Sequence, residues 1–365
     1  MADERAIALE PIDLGLASGA MDREARPDAP LLSVTDLSVE FTTDDGTVHA
    51  VDQISFDVRR NETLGIVGES GSGKSVTSMA ILGLLPKSAK ITGDVRFNGV
   101  PILGAPEKEL EKLRGAGIVM IFQDALASLN PVFKVGKQIG EAISIHQTMR
   151  DAERGERVIE LLEVVGIPNP VDRAEQYPHE YSGGMRQRAM IALAIANDPD
   201  LLIADEPTTA LDVTIQAQVL DVLERIQDRT RSSIMLITHD LGVVAGVTDR
   251  VMVMYAGRQV ELGSVDQIFY EPRHPYTSGL LASLPRLDRR ADKASRLHRI
   301  DGQPPSLIFL PPGCAFNPRC PLAQVPGPCD SQRPELRVVG VEHRSSCHFA
   351  EQLAAGALQP EPAGS

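Results

Sequence analysis

The stretch "GESGSGKS", Gly68 to Ser75, decides how the rest of the chain is read. It fits G-x-x-x-x-G-K-[ST] and stands between "TLGIVG", a short apolar run ending in glycine, and "KSVTSMAILGLL", which has helical length and composition. A strand, a glycine-rich loop and a helix in that order can hold phosphate. The glycines let successive N–H groups turn inward, the helix start adds the positive end of a dipole, and Lys74 brings a mobile positive charge to the β and γ phosphates. Ser75 then offers its hydroxyl to Mg²⁺. Gly68, Glu69, Ser70, Gly71, Ser72, Gly73, Lys74, Ser75 and Val76 are therefore the candidate phosphate-binding residues. A glycine-rich turn that binds nothing is the alternative, and the flanking elements argue against it.

A second strand supports the reading. "LLIADEP" ends four apolar residues with Asp205 and Glu206, so two acids emerge where a buried parallel strand reaches the edge of its sheet, the usual place for ligands in such folds. Asp205 can hold Mg²⁺ through water, and Glu206 can act as general base on the attacking water. Gln123 closes "GIVMIFQ", where its amide can touch a metal-bound water, and His239 closes "SIMLITHD", where it can contact a γ-phosphate oxygen. In "YSGGMRQRAMIALAIA", Ser182, Gly183, Gly184 and Met185 lead into a helix, which makes a second potential anion site with no lysine of its own.

Outward from these motifs, strand patterns alternate with helical ones. "LSVTDLSVEF" and "VHAVDQISFDV", separated by "DDG", predict antiparallel strands, and "ITGDVRFNG" predicts a hairpin. "LLIADEP", "SIMLITHD" and "RVMVMYAG" predict strands of a largely parallel sheet covered on both faces, with "TIQAQVLDVLERIQDRT" a helix between the first two. The stretch from about Ala125 to Tyr181 carries helical patterns such as "ERVIELLEVVG". Residues 1–30 and 351–365 read as flexible tails, 31–270 as the main α/β unit with a helical portion at about 125–185, and 271–350 as a second unit.

With 42% hydrophobic and 24% charged residues, the chain of 365 residues can bury a sizeable core. No apolar run approaches the roughly 18 residues of a membrane-spanning helix, and "MADERAIALEPIDLG" is acidic where a secretory signal is basic. The expectation is a cytosolic protein. A net charge of -14 argues against a broad nucleic-acid footprint. All four cysteines, Cys314, Cys320, Cys329 and Cys347, fall in one Pro-rich region at spacings C-x5-C-x8-C-x17-C. Lacking a C-x2-C pair, they fit zinc poorly, whereas four thiolates from loops suit a [4Fe-4S] cluster. Zinc and free or paired thiols stay open as alternatives. His343 and His348 nearby read as surface residues.

These residues resemble the ATP-binding-cassette (ABC) ATPases. "GESGSGKS" is similar to the family's Walker A, Gln123 to its Q-loop, "YSGGMRQR" to its signature, "LLIADEP" to its Walker B with catalytic glutamate, Ala210 to Asp212 to its D-loop and His239 to its switch histidine, all in the family's order. The signature departs at Tyr181, where leucine is usual, and at Met185, where glutamine is. The resemblance implies the family's P-loop fold, with a mixed sheet core, an antiparallel β portion, a helical portion and here a small cysteine-containing extension. It also implies ATP and Mg²⁺ as ligands, Glu206, Gln123 and His239 as catalytic residues, Phe41 stacked on adenine, and Ser75, Gln123 and Asp205 around Mg²⁺. Ser182 to Met185 would then clamp the nucleotide held by a second cassette, with Asp212 in the D-loop.

The tail, "EPRHPYTSGLLASLPR", "GQPPSL" and "GCAFNPRCP", resembles the C-terminal extension of dipeptide and oligopeptide importer ATPase subunits, which carries a [4Fe-4S] cluster on cysteines matching the four here. That resemblance implies ATP hydrolysis powering peptide import, a different ATPase subunit as partner in a heterodimer, two permease subunits, an extracytoplasmic solute-binding protein, and a place on the cytoplasmic face of the membrane. Nickel or another small solute is the alternative cargo. A soluble cassette acting on nucleic acid or ribosomes and an iron-sulfur regulator that only senses ATP are alternatives of other classes; the intact Glu206 speaks against the second.

Overall fold

The computed structural model describes residues 29–123, 129–209, 212–284 and 300–354. Most of both expected tails, Ala210 and Leu211 of the expected D-loop, and the start of the expected helical portion at residue 125 lie outside the described residues.

The strands are β1 (Leu32–Thr43), β2 (Gly46–Val58), β3 (Thr63–Val67), β4 (Ala89–Phe97), β5 (Val100–Pro101), β6 (Ile118–Ile121), β7 (Leu201–Asp205), β8 (Ser233–Thr238), β9 (Arg250–Tyr255), β10 (Arg258–Ser264), β11 (Arg337–Gly340) and β12 (His343–Ser345). An antiparallel sheet in the order β2-β1-β4-β5 faces a sheet in the order β11-β12-β10-β9-β3-β8-β7-β6. From β6 to β9 the large sheet is parallel; from β9 outward it is antiparallel. Its far edge, β11 and β12, comes from beyond residue 271, so the cysteine-bearing stretch extends the same sheet.

Period-2 alternation distributes these strands between separate cores. Leu201, Ile203, Met235 and Ile237 point into the layer shared with β1, β2 and β4, while their neighbours Leu202, Ala204, Ile234 and Leu236 pack on the helices. Both faces being covered, the strands read as continuous apolar runs. The helices Val135–His146, Asp151–Val164 and Gly183–Ala194 contribute Ile139, Leu161 and Ile191 to the second core. A third core joins Val251, Val253 and Tyr255 of β9 to Tyr276 and Phe316 from the C-terminal region. The rings of Tyr255, Tyr276 and Phe316 meet at centroid distances of 4.6, 5.2 and 5.3 Å.

One expectation fails here. His343 is 1% exposed, on β12, and its Nε2 lies 2.8 Å from Glu261 Oε1 on β10. Its alternating strand position turns it inward, where the buried carboxylate partners it. His348 is half-buried, with Nε2 3.0 Å from the Gln332 carbonyl oxygen.

Candidate active site

β3 ends at Val67 and the helix Lys74–Ile81 begins seven residues later, so the glycine-rich loop turns sharply between them. Gly73, at the helix N-cap with φ 98°, is required twice over. The left-handed region disfavours any side chain, and a Cβ there would stand 2.4 Å from the Ala50 carbonyl oxygen. Lys74 Nζ donates to the carbonyls of Gly68 at 2.8 Å and Glu69 at 3.1 Å, which curls the loop around its own ammonium. Burial pushes the Lys74 pKa down, against the pull of Glu206, Asp205 and Glu69.

Opposite the loop, β7 delivers Asp205 and Glu206. Asp205 is 4% exposed, and burial raises its pKa while a hydrogen bond from Ser75 opposes the rise. Its Oδ1 is buried with no hydrogen-bond partner. Glu206 departs from the strand at φ 49°, a left-handed conformation uncommon outside glycine. That turn aims its carboxylate back over the loop. Gln123 Nε2 donates to Glu206 Oε2 at 3.1 Å, Thr209 Oγ1 donates to the same oxygen at 2.8 Å, and His239 Nδ1 lies 3.3 Å from Oε1. Glu69 to Val76, Gln123, Glu206, Thr209 and His239 line one open cavity of about 600 Å³. Four separate sequence stretches thus line one cavity.

Thr209 is the participant that the sequence reading missed. The signal available was its place three residues after Glu206, the spacing at which a threonine closes a turn; its N–H donates to the Glu206 carbonyl at 3.1 Å. Other expected residues stand outside this cavity. Phe41 lies on β1, half-buried against the first core, and is not among the lining residues. Ser182, Gly183, Gly184 and Met185 likewise lie elsewhere. Ser182 and Gly183 are exposed, and Ser182 Oγ accepts the Met185 N–H at 3.3 Å as helix cap. Tyr181 is buried, with its hydroxyl donating to the Arg173 carbonyl at 2.8 Å and its pKa pushed up to about 12 by burial. Asp212 caps the helix Val213–Thr230, accepting the N–H groups of Thr214 and Ile215 at 3.0 Å each. Gln187, on the signature helix, donates to the Pro207 carbonyl at 2.6 Å, tying that helix to the turn after Glu206.

The unpartnered Asp205 oxygen beside a Ser75 hydroxyl is a donor set that fits a hard cation such as Mg²⁺. The cysteines fit a metal centre less fully. Cys314, Cys320, Cys329 and Cys347 are all free thiols and line one apolar cavity with Phe316 and Phe349, but its volume is only about 20 Å³. Among the described residues no group of three or more His, Cys, Asp or Glu side chains is arranged to hold a metal ion. The expected [4Fe-4S] cluster thus has its thiols gathered but lacks the space. Burial pushes the Cys320 and Cys347 thiols up to about 12 and raises Cys314 as well.

Residues 51–209 match the family described as ABC transporter. The chain is also 52% identical to the dipeptide transport ATP-binding protein DppD of Bacillus subtilis, over 90% of this chain and 97% of that one. The chain belongs to the ABC transporter family. As an ABC cassette it is an ATPase. Residues 260–326 match a second family, oligopeptide/dipeptide transporter, C-terminal region. The oligopeptide transport ATP-binding protein OppD of Escherichia coli is 52% identical over 80% of this chain and 86% of its own. That of Mycobacterium tuberculosis is 53% identical over 87% of this chain, which spans 52% of its length. Among solved structures, cbiO1 from Clostridium perfringens, part of the ABC transporter complex cbiONQ, superposes with a TM-score of 0.57 at 28% identity, covering 66% of this chain and 91% of that one. A cassette bound to ADP and Pi shares the fold at a TM-score of 0.58 and 24% identity, over 64% of this chain and 98% of its own.

Proposed function

We propose that this cassette is the ATP-hydrolysing subunit of an importer that takes up di- or oligopeptides across the cytoplasmic membrane. The observation that carries the reading is the joining, in one chain, of the Glu206-centred phosphate cavity to the oligopeptide/dipeptide C-terminal region. The cassette is assigned residues 31–270, with its helical portion at about 125–185, and the extension residues 271–350.

In this reading the N–H groups of Gly68 to Ser75 and the Lys74 ammonium hold the ATP phosphates, exchanging the loop carbonyls that Lys74 now contacts for phosphate oxygens. Ser75, Gln123 and Asp205 would hold Mg²⁺, which when bound neutralises charge on the β and γ phosphates. Glu206 orients and deprotonates the attacking water; Gln123, Thr209 and His239 fix its carboxylate. His239 also reaches the γ-phosphate oxygen, and Phe41 approaches adenine. Exposed Ser182 and Gly183 close over ATP held by a second, different cassette, with Met185 and Asp212 at the same junction. Two permease subunits and an extracytoplasmic solute-binding protein complete the assembly. No described helix is long and apolar enough to cross a membrane; in this reading the permeases carry attachment to its cytoplasmic face. A [4Fe-4S] centre on the four cysteines rests on the resemblance of the C-terminal region alone, since their small cavity does not fit it. Iron and acid-labile sulfide measured on anaerobically purified protein test that assignment.

The function is tested by co-expressing the chain with its neighbouring permease genes. It should co-purify with them from detergent extracts, and Glu206→Gln should stop turnover while ATP binding persists. A chain that stays free of any permease ends the importer reading. Unchanged turnover in Glu206→Gln removes Glu206 as the base.

A further inference from the structure

Arg319 lies between Cys314 and Cys320, and its guanidinium ends in the phosphate-binding loop, 250 residues away in sequence. Nη1 donates to Glu69 Oε2 at 2.7 Å and Nη2 to Oε1 at 3.0 Å, a two-pronged pair. The Arg319 side chain is 5% exposed and that of Glu69 26%. Nε donates to the Asp301 carbonyl at 3.0 Å and Nη1 to Tyr255 Oη at 3.3 Å, so the guanidinium is held on several edges. The backbone of Glu69 is held from the same side: its N–H donates to Tyr276 Oη at 2.9 Å, and the Tyr276 ring packs on Phe316, three residues before Arg319.

Glu69 also lines the ATP cavity. A free carboxylate there would face the negative charges of a triphosphate; the pair with Arg319 cancels it. Arg319 in turn cannot shift independently of the cysteines. Its N–H donates to the Phe316 carbonyl at 2.9 Å, Asn317 Nδ2 donates to the Cys329 carbonyl at 2.9 Å, and the Cys314 N–H donates to that same carbonyl at 2.9 Å.

We propose that Arg319 is a positioning residue for ATP: it neutralises and anchors Glu69 at the rim of the phosphate cavity, so that ATP affinity depends on how the cysteine-bearing stretch is seated. The proposal rests on the reading that Gly68 to Ser75 hold the phosphates of ATP. Any change that spreads or draws together the four thiols would be felt at Glu69 as a change in charge balance.

The test is equilibrium binding of a non-hydrolysable fluorescent ATP analogue, with Mg²⁺, to the full chain. Arg319→Gln should weaken binding about tenfold, or about 1.4 kcal/mol. Glu69→Gln, which removes the repelling charge, should tighten it by about threefold, and the double variant should return to within about threefold of the parent. The rescue guards against misfolding as the cause of the loss. Cys320→Ser should weaken binding in the parent background and leave it unaltered in the double variant. Parent-like binding by Arg319→Gln, or a double variant as weak as Arg319→Gln alone, overturns the role of Arg319. Equal effects of Cys320→Ser in both backgrounds, or none in either, overturn the link to the cysteines. Lys74→Ala run in parallel separates the two layers: parent-like binding in that variant would sink the phosphate-loop reading itself.

Discussion

Replacing Thr209 by valine keeps the shape of the side chain and removes the hydroxyl that donates to Glu206 Oε2 at 2.8 Å. Two consequences oppose each other. A hydrogen bond to a charged group contributes about 1.5–3 kcal/mol, so its loss makes the carboxylate a stronger base. Part of that energy returns as faster proton abstraction. Against this, Glu206 sits at φ 49° and is held in that turn by Thr209, through the hydroxyl and through its N–H at 3.1 Å to the Glu206 carbonyl. A carboxylate freed on one edge spends less time aimed at the water, and a misplacement of about 1 Å at a reacting centre can cost about 100-fold, or close to 3 kcal/mol. Gln123 and His239 still contact the carboxylate, which limits the loss. The net expectation is a fall in kcat of about tenfold, equivalent to about 1.4 kcal/mol, with KM for ATP little changed. Thr209→Ser, which keeps a hydroxyl, should recover most of the rate. Steady-state phosphate release over a range of ATP concentrations measures both parameters. A Thr209→Val variant with the parent kcat, or one whose loss lies wholly in KM, would refute the assignment of Thr209 to the orientation of Glu206.

Asp205→Asn should abolish Mg²⁺-dependent turnover yet raise the melting temperature of the nucleotide-free protein at pH 7. Burial lifts the Asp205 pKa above its ordinary 3.8, so its ionised form opposes folding and that penalty disappears as the pH falls. The melting difference between the variant and the parent, followed by scanning fluorimetry, should shrink from pH 7 toward pH 4; a difference that grows on acidification would reverse the sign argued here. Tyr181→Phe removes the hydroxyl that reaches the Arg173 carbonyl at 2.8 Å inside the helical core. Urea unfolding should show a loss of about 1–2 kcal/mol, and a variant as stable as the parent would mean that water already serves that carbonyl.

What the sequence made legible were the parts written locally. Glycine spacing, the apolar run before Asp205 and the helical period of residues 213–230 each fit within one element, so Lys74, Ser75, Asp205, Glu206, Gln123 and His239 could be picked out in advance; all but Asp205 line one cavity, and Asp205 is hydrogen-bonded to Ser75 beside it. What escaped was written in tertiary contacts. Thr209 had only its spacing from Glu206 as a cue, and its contact depends on the left-handed backbone at Glu206. β11 and β12 are only four and three residues long, too short for alternation to register, yet they finish the large sheet. The inward turn of His343 follows from that strand and could not be foreseen without it. The Arg319–Glu69 pair joins residues 250 positions apart, and nothing in "NPRCP" or "GESGSGKS" alone announces it.

The site is folded against its own preferences, and the pattern of those costs matches the ligand proposed for it. Lys74 is buried and its charge opposed; Asp205 is buried with one oxygen lacking any partner; Glu206 adopts a conformation that most residues avoid. Each carries a penalty of order 1–3 kcal/mol, and a core can supply enough stability to carry them. If stability alone set these choices, an apolar residue at position 205 and a glycine at 206 would relieve two of the three. A ligand with negative phosphates and a divalent cation relieves Lys74 and Asp205 together, since it supplies the missing opposite charges at both. The position of Glu206 is relieved by neither, as the proposed role on the reacting water requires of a group that must stay unneutralised until the terminal phosphate is attacked.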